Sequence, residues 1–315
     1  MRVLFMGTPE FAKVALESLI NSNFEIAGVV TQPDKPFGRK MVLTPPPVKE
    51  FALLHGLDIY QPSTLRNEDF AELLSNIAPD VIVVAAYGKI LPKNVIDFPR
   101  YGCINIHASL LPKYRGASPI TAAIINGEDT TGITIIHMDE GIDTGDMISK
   151  REIPIGQDEI FADIHDKLAQ IGGELIVEAL TLIKSGTAPR EKQSECNIDA
   201  SYAPKIDNEM CEIDWHLPAK NIHDKIRGLS PIPTAFTWIN GRKLKVYKSK
   251  IADDCQSDNK YGEVLIDGKI IRVKTLDKFI ELLELQIEGG KKMSAGDFIN
   301  GRQIEREGSV FGRSD

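Results

Sequence analysis

The run Val81-Ile-Val-Val-Ala-Ala86 consists entirely of apolar residues, with Asp80 before it and Tyr87 after it. An unbroken apolar run of this length is typical of a strand that is buried on both faces, as the central strands of a parallel sheet are. The run is far too short for a membrane-spanning helix, which needs about 20 apolar residues. We therefore predict that residues 80–86 form a strand at the centre of a parallel sheet.

Strand and helix patterns alternate on both sides of this run. Because parallel strands are joined by crossover connections, usually helices, the alternation predicts an α/β fold with a doubly wound, mostly parallel sheet of the Rossmann-like type. The predicted strands are at 2–6, 25–30, 58–60, 103–106, 132–138 and 146–153, and the predicted helices begin at Pro9 or lie at 48–55, 68–76, 119–127 and 160–183.

The pattern changes after Gly186. Residues 187–203 have little apolar periodicity, and the short strand patterns that follow are joined by turns such as Asn240-Gly241, a strong hairpin signal. Several short antiparallel strands in about 100 residues suggest a small open β-barrel of the oligonucleotide-binding (OB) type. The predicted division is an N-terminal domain at 1–189, a linker at 190–206 and a C-terminal OB-like domain at 207–315.

Charge is distributed unevenly between the two parts. Residues 1–189 contain 16 Lys and Arg against 24 Asp and Glu, whereas residues 190–315 contain 21 of each. Within residues 218–250, eight basic residues stand against one acid, Asp224. Such a band indicates a polyanionic partner, although lysines also protect strand edges against aggregation. Charge alone leaves both interpretations open.

Composition excludes several classes of protein. The first residues are too short for a signal peptide, and no run is long enough to span a membrane, so we expect a cytoplasmic protein without a membrane partner. The four cysteines are scattered and lack metal-site spacing, which predicts reduced thiols and no metal. The turn Gly7-Thr-Pro-Glu10 lacks the Gly-x-Gly-x-x-Gly fingerprint, which argues against a nicotinamide or flavin cofactor.

Three polar residues are the candidate catalytic set. Asn105 and His107 are two residues apart in a predicted strand and therefore project from the same face. Asp143 lies between Gly141 and Gly145, in a loop that can bend toward a ligand. A carboxylate orients an imidazole, and an amide N–H can stabilise an oxyanion. A polar strand end and an ordinary Asp turn are the alternative interpretations.

The sequence resembles the methionyl-tRNA formyltransferases over nearly its whole length. The resemblance rests on these motifs: Met6-Gly-Thr-Pro-Glu-Phe11, Thr31-Gln-Pro-Asp34, Ala86-Tyr-Gly88, Asn105-Ile-His-Ala-Ser-Leu-Leu-Pro-Lys-Tyr-Arg-Gly-Ala-Ser-Pro-Ile120, Gly141-Ile-Asp-Thr-Gly-Asp146, Tyr202-Ala-Pro-Lys205, Ile213-Asp-Trp215 and Gly290-Lys-Lys-Met293. It implies transfer of a formyl group from 10-formyltetrahydrofolate to the amino group of initiator methionyl-tRNA, for initiation of translation. Attack is direct, through a tetrahedral intermediate.

The resemblance also implies roles for particular residues. Asn105 and His107 stabilise the oxyanion, and Asp143 supports the histidine and helps to move protons. The implied folate-binding residues are Ala86, Tyr87, Gly88, Ser109, Leu110, Leu111, Pro112, Asp139 and Gly141. The implied tRNA-binding residues are Lys35, Arg39 and Lys40 in a long basic loop, and Arg242, Lys243, Lys245 and Lys248 in the basic band. We expect a monomer.

The residues also allow three other classes of function: another formyltransferase, a non-catalytic RNA-binding module and a dehydrogenase. A formyltransferase acting on glycinamide ribonucleotide lacks the C-terminal barrel, and one acting on a nucleotide-linked amino sugar usually carries a different second domain. An RNA-binding module without catalysis would not need Asn105, His107 and Asp143 in the family order. A dehydrogenase would need the missing glycine fingerprint.

Overall fold

The computed structural model describes residues 1–38, 41–196, 199–252, 260–305 and 309–312. The chain divides into two compact units, and each is assembled from separate stretches of sequence. The first unit comprises residues 1–116, 131–153 and 165–202, and the second comprises residues 117–130, 154–164 and 203–315. Among the described residues, no helix is both long enough and apolar enough to cross a bilayer.

Up to residue 203, strands and helices alternate as the sequence predicts. The strands are β1 (Arg2–Gly7), β2 (Glu25–Val30), β3 (Lys35–Phe37), β4 (Val42–Thr44), β5 (Ile59–Tyr60), β6 (Val81–Ala85), β7 (Cys103–His107), β8 (Arg115–Gly116), β9 (Thr130–His137), β10 (Met147–Pro154) and β11 (Tyr202–Ala203). The helices are α1 (Glu10–Ile20), α2 (Pro47–Leu54), α3 (Glu68–Ile77), α4 (Lys93–Ile96), α5 (Pro119–Ile125) and α6 (Phe161–Ser185).

The main sheet has the strand order β10-β9-β7-β6-β1-β2-β5. The pairs β1–β2, β1–β6, β6–β7 and β2–β5 are parallel, and β9 adds to β7 in the antiparallel direction. Every residue of β6 is buried, as expected for a central strand covered on both faces. Asn105 pairs with Val84 in β6, which places the polar pair of β7 beside the centre of the sheet.

One stretch differs from its prediction. The sequence predicts a long loop between β2 and the next helix, whereas β3 and β4 form a short antiparallel hairpin there, with Lys35 opposite Thr44. Gly38, with φ of +71°, allows the chain to reverse, and its carbonyl accepts from the backbone N–H of Met41. Strands of three residues show too little alternation for a pattern to reveal them.

The second unit contains an antiparallel sheet in the order β12-β13-β16-β15-β14, with β17 paired to β16. Its strands are β12 (Ala235–Ile239), β13 (Arg242–Ala252), β14 (Val264–Asp267), β15 (Ile270–Lys274), β16 (Phe279–Ile287) and β17 (Met293–Ser294), and its helices include α7 (Ala219–Gly228) and α8 (Ala295–Asn300). Phe236, Trp215 and Phe298 lie in its buried core. The predicted fold class, a mostly parallel α/β sheet followed by a small antiparallel β domain, is confirmed.

Candidate active site

Asn105 and His107 lie on the same face of β7, and the structure brings both to Asp143. The amide nitrogen Nδ2 of Asn105 donates to Oδ1 of Asp143 at 3.2 Å. Nδ1 of His107 lies 3.5 Å from Oδ2 of the same carboxylate. Asn105 and His107 are 9% and 4% exposed, so these contacts form in a site with little water. The three residues that the sequence singles out therefore share one site, in which Asn105 and His107 are buried and Asp143 is partly exposed.

The backbone around Tyr114 fixes the orientation of the imidazole. Nε2 of His107 lies 2.9 Å from the carbonyl oxygen of Tyr114. Because a carbonyl oxygen can only accept, Nε2 carries the hydrogen and Nδ1 is the nitrogen that faces Asp143. The backbone N–H of Gly116 donates to Oδ2 of Asp143 at 2.9 Å. Two residues of the loop after β7 thus hold the histidine and the carboxylate.

The loop that carries Asp143 is compact and internally bonded. Asp143 has φ of +53°, a left-handed conformation that is uncommon for a residue with a side chain. Oδ1 of Asp139 accepts from the backbone N–H of Gly141 at 3.0 Å and from the hydroxyl of Thr144 at 2.6 Å. A Cβ at position 145 would overlap the carbonyl oxygen of His137, so the close approach of loop and strand requires Gly145.

A side chain from the predicted linker completes the support of this loop. Nε2 of Gln193 donates to the carbonyl oxygens of Asp143 and Gly145, at 2.8 and 2.9 Å. Arg115 donates to Oε1 of the same amide from Nε at 3.0 Å and from Nη2 at 2.7 Å. Gln193 and Arg115 also line a cavity of 420 Å³ beside the loop. Sequence reasoning misses Gln193, because a lone Gln in a segment without periodicity gives no signal.

Comparison with known proteins identifies the family. A family model for formyl transferases matches residues 1–180, and a model for the formyl transferase C-terminal domain matches residues 205–303. A methionyl-tRNA formyltransferase of Ruminiclostridium cellulolyticum is 46% identical over 307 residues, covering 97% of this chain and 98% of that protein. Another, of Caldicellulosiruptor saccharolyticus, is 47% identical over 310 residues, with 97% and 98% covered. The chain belongs to the methionyl-tRNA formyltransferase family.

A solved structure shows the same fold. The N-formyltransferase from Helicobacter canadensis, in complex with folinic acid and dTDP-3-aminofucose, has a TM-score of 0.67 at 20% identity, covering 92% of this chain and 99% of that one. At this identity the likeness concerns the fold alone. The predictions of the family and of an enzyme are confirmed by the sequence relatives. The methionyl-tRNA formyltransferase family uses 10-formyltetrahydrofolate as its formyl donor.

The residues predicted to bind folate lie in three loops of the first unit. Ala86, Tyr87 and Gly88 follow β6, and Ala86 and Gly88 both have positive φ values, of 45° and 85°. The side chain of Tyr87 lies in the apolar core, and its carbonyl accepts from Thr8 and Gln32 at 3.0 and 3.2 Å. Any ligand at this segment therefore meets backbone groups rather than the phenol ring.

The second segment predicted to bind folate, Ser109–Pro112, is held in place by hydrogen bonds from two hydroxyl groups. Ser109 is fully buried, and its hydroxyl donates to the carbonyl of Lys113 at 2.6 Å. The hydroxyl of Thr134 donates to the carbonyl of Ser109 at 2.6 Å and accepts from the backbone N–H of Leu111 at 3.1 Å. Leu111 is buried, whereas Leu110 is partly accessible. In the third segment, which contains Asp139 and Gly141, the carboxylate of Asp139 accepts hydrogen bonds from within its own loop.

The residues predicted to bind tRNA are dispersed. Lys35 is exposed on β3, and Arg39 and Lys40 lie outside the described residues. On β13, Arg242 donates to the carbonyl of Glu288 at 3.1 Å. Lys243 contacts Asn208 and the ring of Phe236, Lys245 is half-buried and Lys248 is exposed. The structure brings the β13 residues together on one strand.

Tyr87 and the partly buried His137 are among the groups with strongly shifted pKa values. Burial raises the pKa of the Tyr87 hydroxyl to about 12, so the phenol stays neutral at physiological pH. Burial, followed by the nearby Arg190 guanidinium, lowers the pKa of His137 to about 4, against the opposing effect of Asp146. His137 is therefore neutral at pH 7. Within the part of the chain that is described, no group of three His, Cys, Asp or Glu side chains is arranged to hold a metal ion.

Proposed function

We propose that this chain transfers the formyl group of 10-formyltetrahydrofolate to the amino group of initiator methionyl-tRNA, and that Asn105, His107 and Asp143 are its catalytic residues. The observation that carries the proposal is the convergence of an amide and an imidazole on one carboxylate, at 3.2 and 3.5 Å, in a member of this family. The reaction supplies the N-formylmethionyl group with which translation begins.

Asn105 supplies the oxyanion donor in this mechanism. The neutral amine of the methionyl group attacks the formyl carbon, and the carbonyl oxygen gains negative charge as the tetrahedral centre forms. An asparagine amide has two N–H groups, and the contact with Asp143 uses one of them. The other is available to the oxyanion. A positioned donor of this kind lowers the barrier by about 3–4 kcal/mol.

His107 stabilises the oxyanion together with Asn105, and Asp143 supports the histidine and helps to move protons. The 3.5 Å between Nδ1 and Oδ2 is longer than a well-formed hydrogen bond, so Asp143 engages Nδ1 only loosely while the carbonyl of Tyr114 holds the ring through Nε2. Catalytic hydrogen bonds commonly tighten only when substrate is bound. The amine loses a proton as it forms the new C–N bond, and the folate nitrogen gains one as its bond to the formyl carbon breaks. The carboxylate of Asp143 relays between them and keeps the imidazole oriented.

The substrates occupy different segments. The folate lies against Ala86–Gly88, Ser109–Pro112 and the loop containing Asp139 and Gly141, where backbone groups meet the pterin edge. The tRNA contacts Lys35, Arg39 and Lys40 near the reacting end, and the β13 residues Arg242, Lys243, Lys245 and Lys248. Residues 1–189 act as the catalytic domain, 190–206 as the linker and 207–315 as the tRNA-binding domain. The protein works as a monomer in the cytoplasm.

Transfer of the formyl group to three acceptors tests the proposal. The protein is incubated with 10-formyltetrahydrofolate and with charged initiator tRNA, glycinamide ribonucleotide or a nucleotide-linked amino sugar. We expect formylation of the charged tRNA alone. Transfer to a small amine instead would keep the catalytic assignment and refute the tRNA assignment of residues 207–315. Absence of transfer to all three would refute the proposed function.

A further inference from the structure

The side chain of Gln193 joins two elements that the proposed mechanism uses separately. Its amide nitrogen donates to the carbonyls of Asp143 and Gly145, and its amide oxygen accepts two N–H groups of Arg115. Gln193 is 5% exposed although it lies in the segment between the two matched family domains. The buried amide makes four hydrogen bonds, all to the segments that carry Asp143 and Gly116. Gln193 is therefore part of the packed structure around Asp143 and not a solvated linker residue.

The chemistry of the partners leaves the Gln193 amide with one orientation. A guanidinium can only donate, so the oxygen of the amide must face Arg115. The nitrogen then faces the two carbonyls, which can only accept. The Arg115 fork therefore fixes the direction in which Gln193 donates. In a flipped amide, the oxygen would face the carbonyl oxygens of Asp143 and Gly145, and the nitrogen would face the N–H groups of Arg115. Neither pair could form a hydrogen bond.

This contact holds Asp143 by its backbone, whereas the catalytic contacts hold it by its carboxylate. Asp143 has the left-handed φ of +53°, a conformation that persists only when the surroundings impose it. The segment Arg115-Gly116 reaches Asp143 by two routes, because Arg115 holds Gln193 and the backbone N–H of Gly116 donates directly to Oδ2 of Asp143. The backbone contact sets where the carboxylate stands relative to Asn105 and His107.

We infer that Gln193 is a positioning residue for formyl transfer, which places Asp143 in the catalytic set, and that Arg115 positions Gln193 in turn. This inference rests on the proposed function, since it concerns the geometry of the same reaction. It assigns a role in the chemistry to the segment after α6. A positioning role predicts that substitution of Gln193 or Arg115 lowers kcat but does not weaken substrate binding, because neither residue needs to contact the substrate.

The substitution Gln193→Glu separates positioning from packing. The glutamate keeps the side-chain shape and the contact with Arg115, but it replaces the donating nitrogen by an oxygen that faces two carbonyls. We expect kcat to fall about tenfold to hundredfold, because a displacement of a catalytic group by about 1 Å lowers the rate by up to about a hundredfold. The KM values for charged tRNA and folate should stay close to those of the unmodified chain, and kcat is measured below the melting temperature of the variant. Gln170→Glu, an exposed amide-to-acid change on α6, is the matched control.

A double-mutant cycle tests the route through Asp143. If Gln193 acts through this carboxylate, Gln193→Glu should have almost no further effect on kcat in the Asp143→Asn background. Full additivity of the two losses would overturn the inference, as would a Gln193→Glu enzyme with unchanged kcat. Should Gln193→Glu unfold, Arg115→Lys replaces it, because lysine keeps the charge but cannot hold the amide with a fork. An unchanged kcat for Arg115→Lys would then overturn it.

These outcomes are separate from a failure of the proposed function. The unmodified chain serves as the reference, with charged initiator tRNA as acceptor. No transfer by the unmodified chain refutes the function itself. Normal transfer by that chain together with unchanged kcat in the Gln193 and Arg115 variants refutes the positioning role alone.

Discussion

At the scale of single residues, Asp143 is the centre of the site. Its carboxylate accepts from Asn105 and from the backbone of Gly116, and it faces the imidazole of His107. A carboxylate that is bonded on several sides in a poorly hydrated site has a fixed direction, which is the requirement for moving a proton between defined partners. The strained backbone at Asp143 is the cost of that direction.

Replacing the histidine tests its role. His107→Ala should lower kcat by about a hundredfold or more, because one positioned group is lost from the transition state. Binding of charged tRNA should change little, since His107 is buried and makes its contacts within the protein. Single-turnover transfer and filter binding measure the two quantities. His55→Ala, at an exposed position after α2, is the control and should leave both unchanged. Near-normal kcat in His107→Ala would contradict the assignment.

The lowered pKa of His137 leads us to expect that the stability of the protein depends on pH. Its folded-state pKa of about 4 is below the unfolded value of 6.5, so between these values the unfolded chain binds more protons than the folded chain. The free energy of unfolding should therefore fall as the pH is lowered from 6.5 to 4, by about 2 kcal/mol after allowance for the partial exposure of the ring. Urea unfolding at several pH values measures the slope. In His137→Gln this contribution should vanish, and an identical slope in both proteins would contradict the prediction.

At the scale of elements, the structure divides the basic band of residues 218–250 into two parts. Arg227 on α7 is buried and donates to Asp224 at 2.7 Å, and Lys220 donates to the same carboxylate at 2.7 Å. The Arg227 charge is paired inside the protein, whereas Lys220 is exposed and its ammonium is paired with the buried Asp224. On β13, Leu244 and Val246 are buried, and the lysines at the alternate positions lie on the other face. The proposed contact with a phosphate backbone is therefore assigned to the lysines on this outer face of β13, since Lys220 and Arg227 are already paired with Asp224.

The lysines of β13 lead to a prediction on tRNA affinity. Lys245→Gln should weaken binding of tRNA and reduce the slope of log K against log salt by about 1, because one phosphate contact and its released counterion are lost. Titrations at several salt concentrations measure the slope. Lys184→Gln removes the same charge from an exposed position at the end of α6 and should leave it unchanged. An equal effect of both substitutions would indicate a general charge effect and no specific contact.

At the scale of the whole molecule, neither compact unit is continuous in sequence. Residues 117–130 and 154–164 belong to the unit of residues 203–315. Within that unit, a Cβ at Gly228 of α7 would come within 2.9 Å of Ile125, so α7 and α5 are in close contact. Arg227 donates to the carbonyls of Gly156 and Glu159, both at 3.1 Å. These contacts join segments that a cut in the linker would separate.

Truncation tests this interleaving. A fragment of residues 1–189 retains residues 117–130 and 154–164 without the segments that cover them. We expect a lower melting temperature, a less cooperative transition and greater binding of a hydrophobic dye, because apolar groups of α5 and backbone carbonyls near Gly156 lose their partners. The full chain is the reference. A fragment that unfolds cooperatively at the same temperature as the full chain would show that residues 1–189 need no support from the rest.

The sequence by itself determined the elements and the residue types of the site. Periodicity located β6, the helices around it and the pairs of short strands after residue 230, because which face of a segment is apolar is a local property. The spacing of Asn105 and His107 in one strand placed both on one face. Asp143 could be proposed as the third catalytic residue because the flanking glycines and the family motif are both visible in the sequence.

Only the tertiary structure decided which distant groups meet. Gln193 reaches Asp143 across fifty positions of the chain, and no periodicity or spacing encodes such a contact. The same holds for the contacts of Arg227 with the carbonyls of Gly156 and Glu159, which tie residues 154–164 to the C-terminal unit. The β3–β4 hairpin is too short for a pattern. Local patterns arise from neighbouring residues, whereas these contacts arise from the packing of whole elements, which buries polar groups only where their partners arrive.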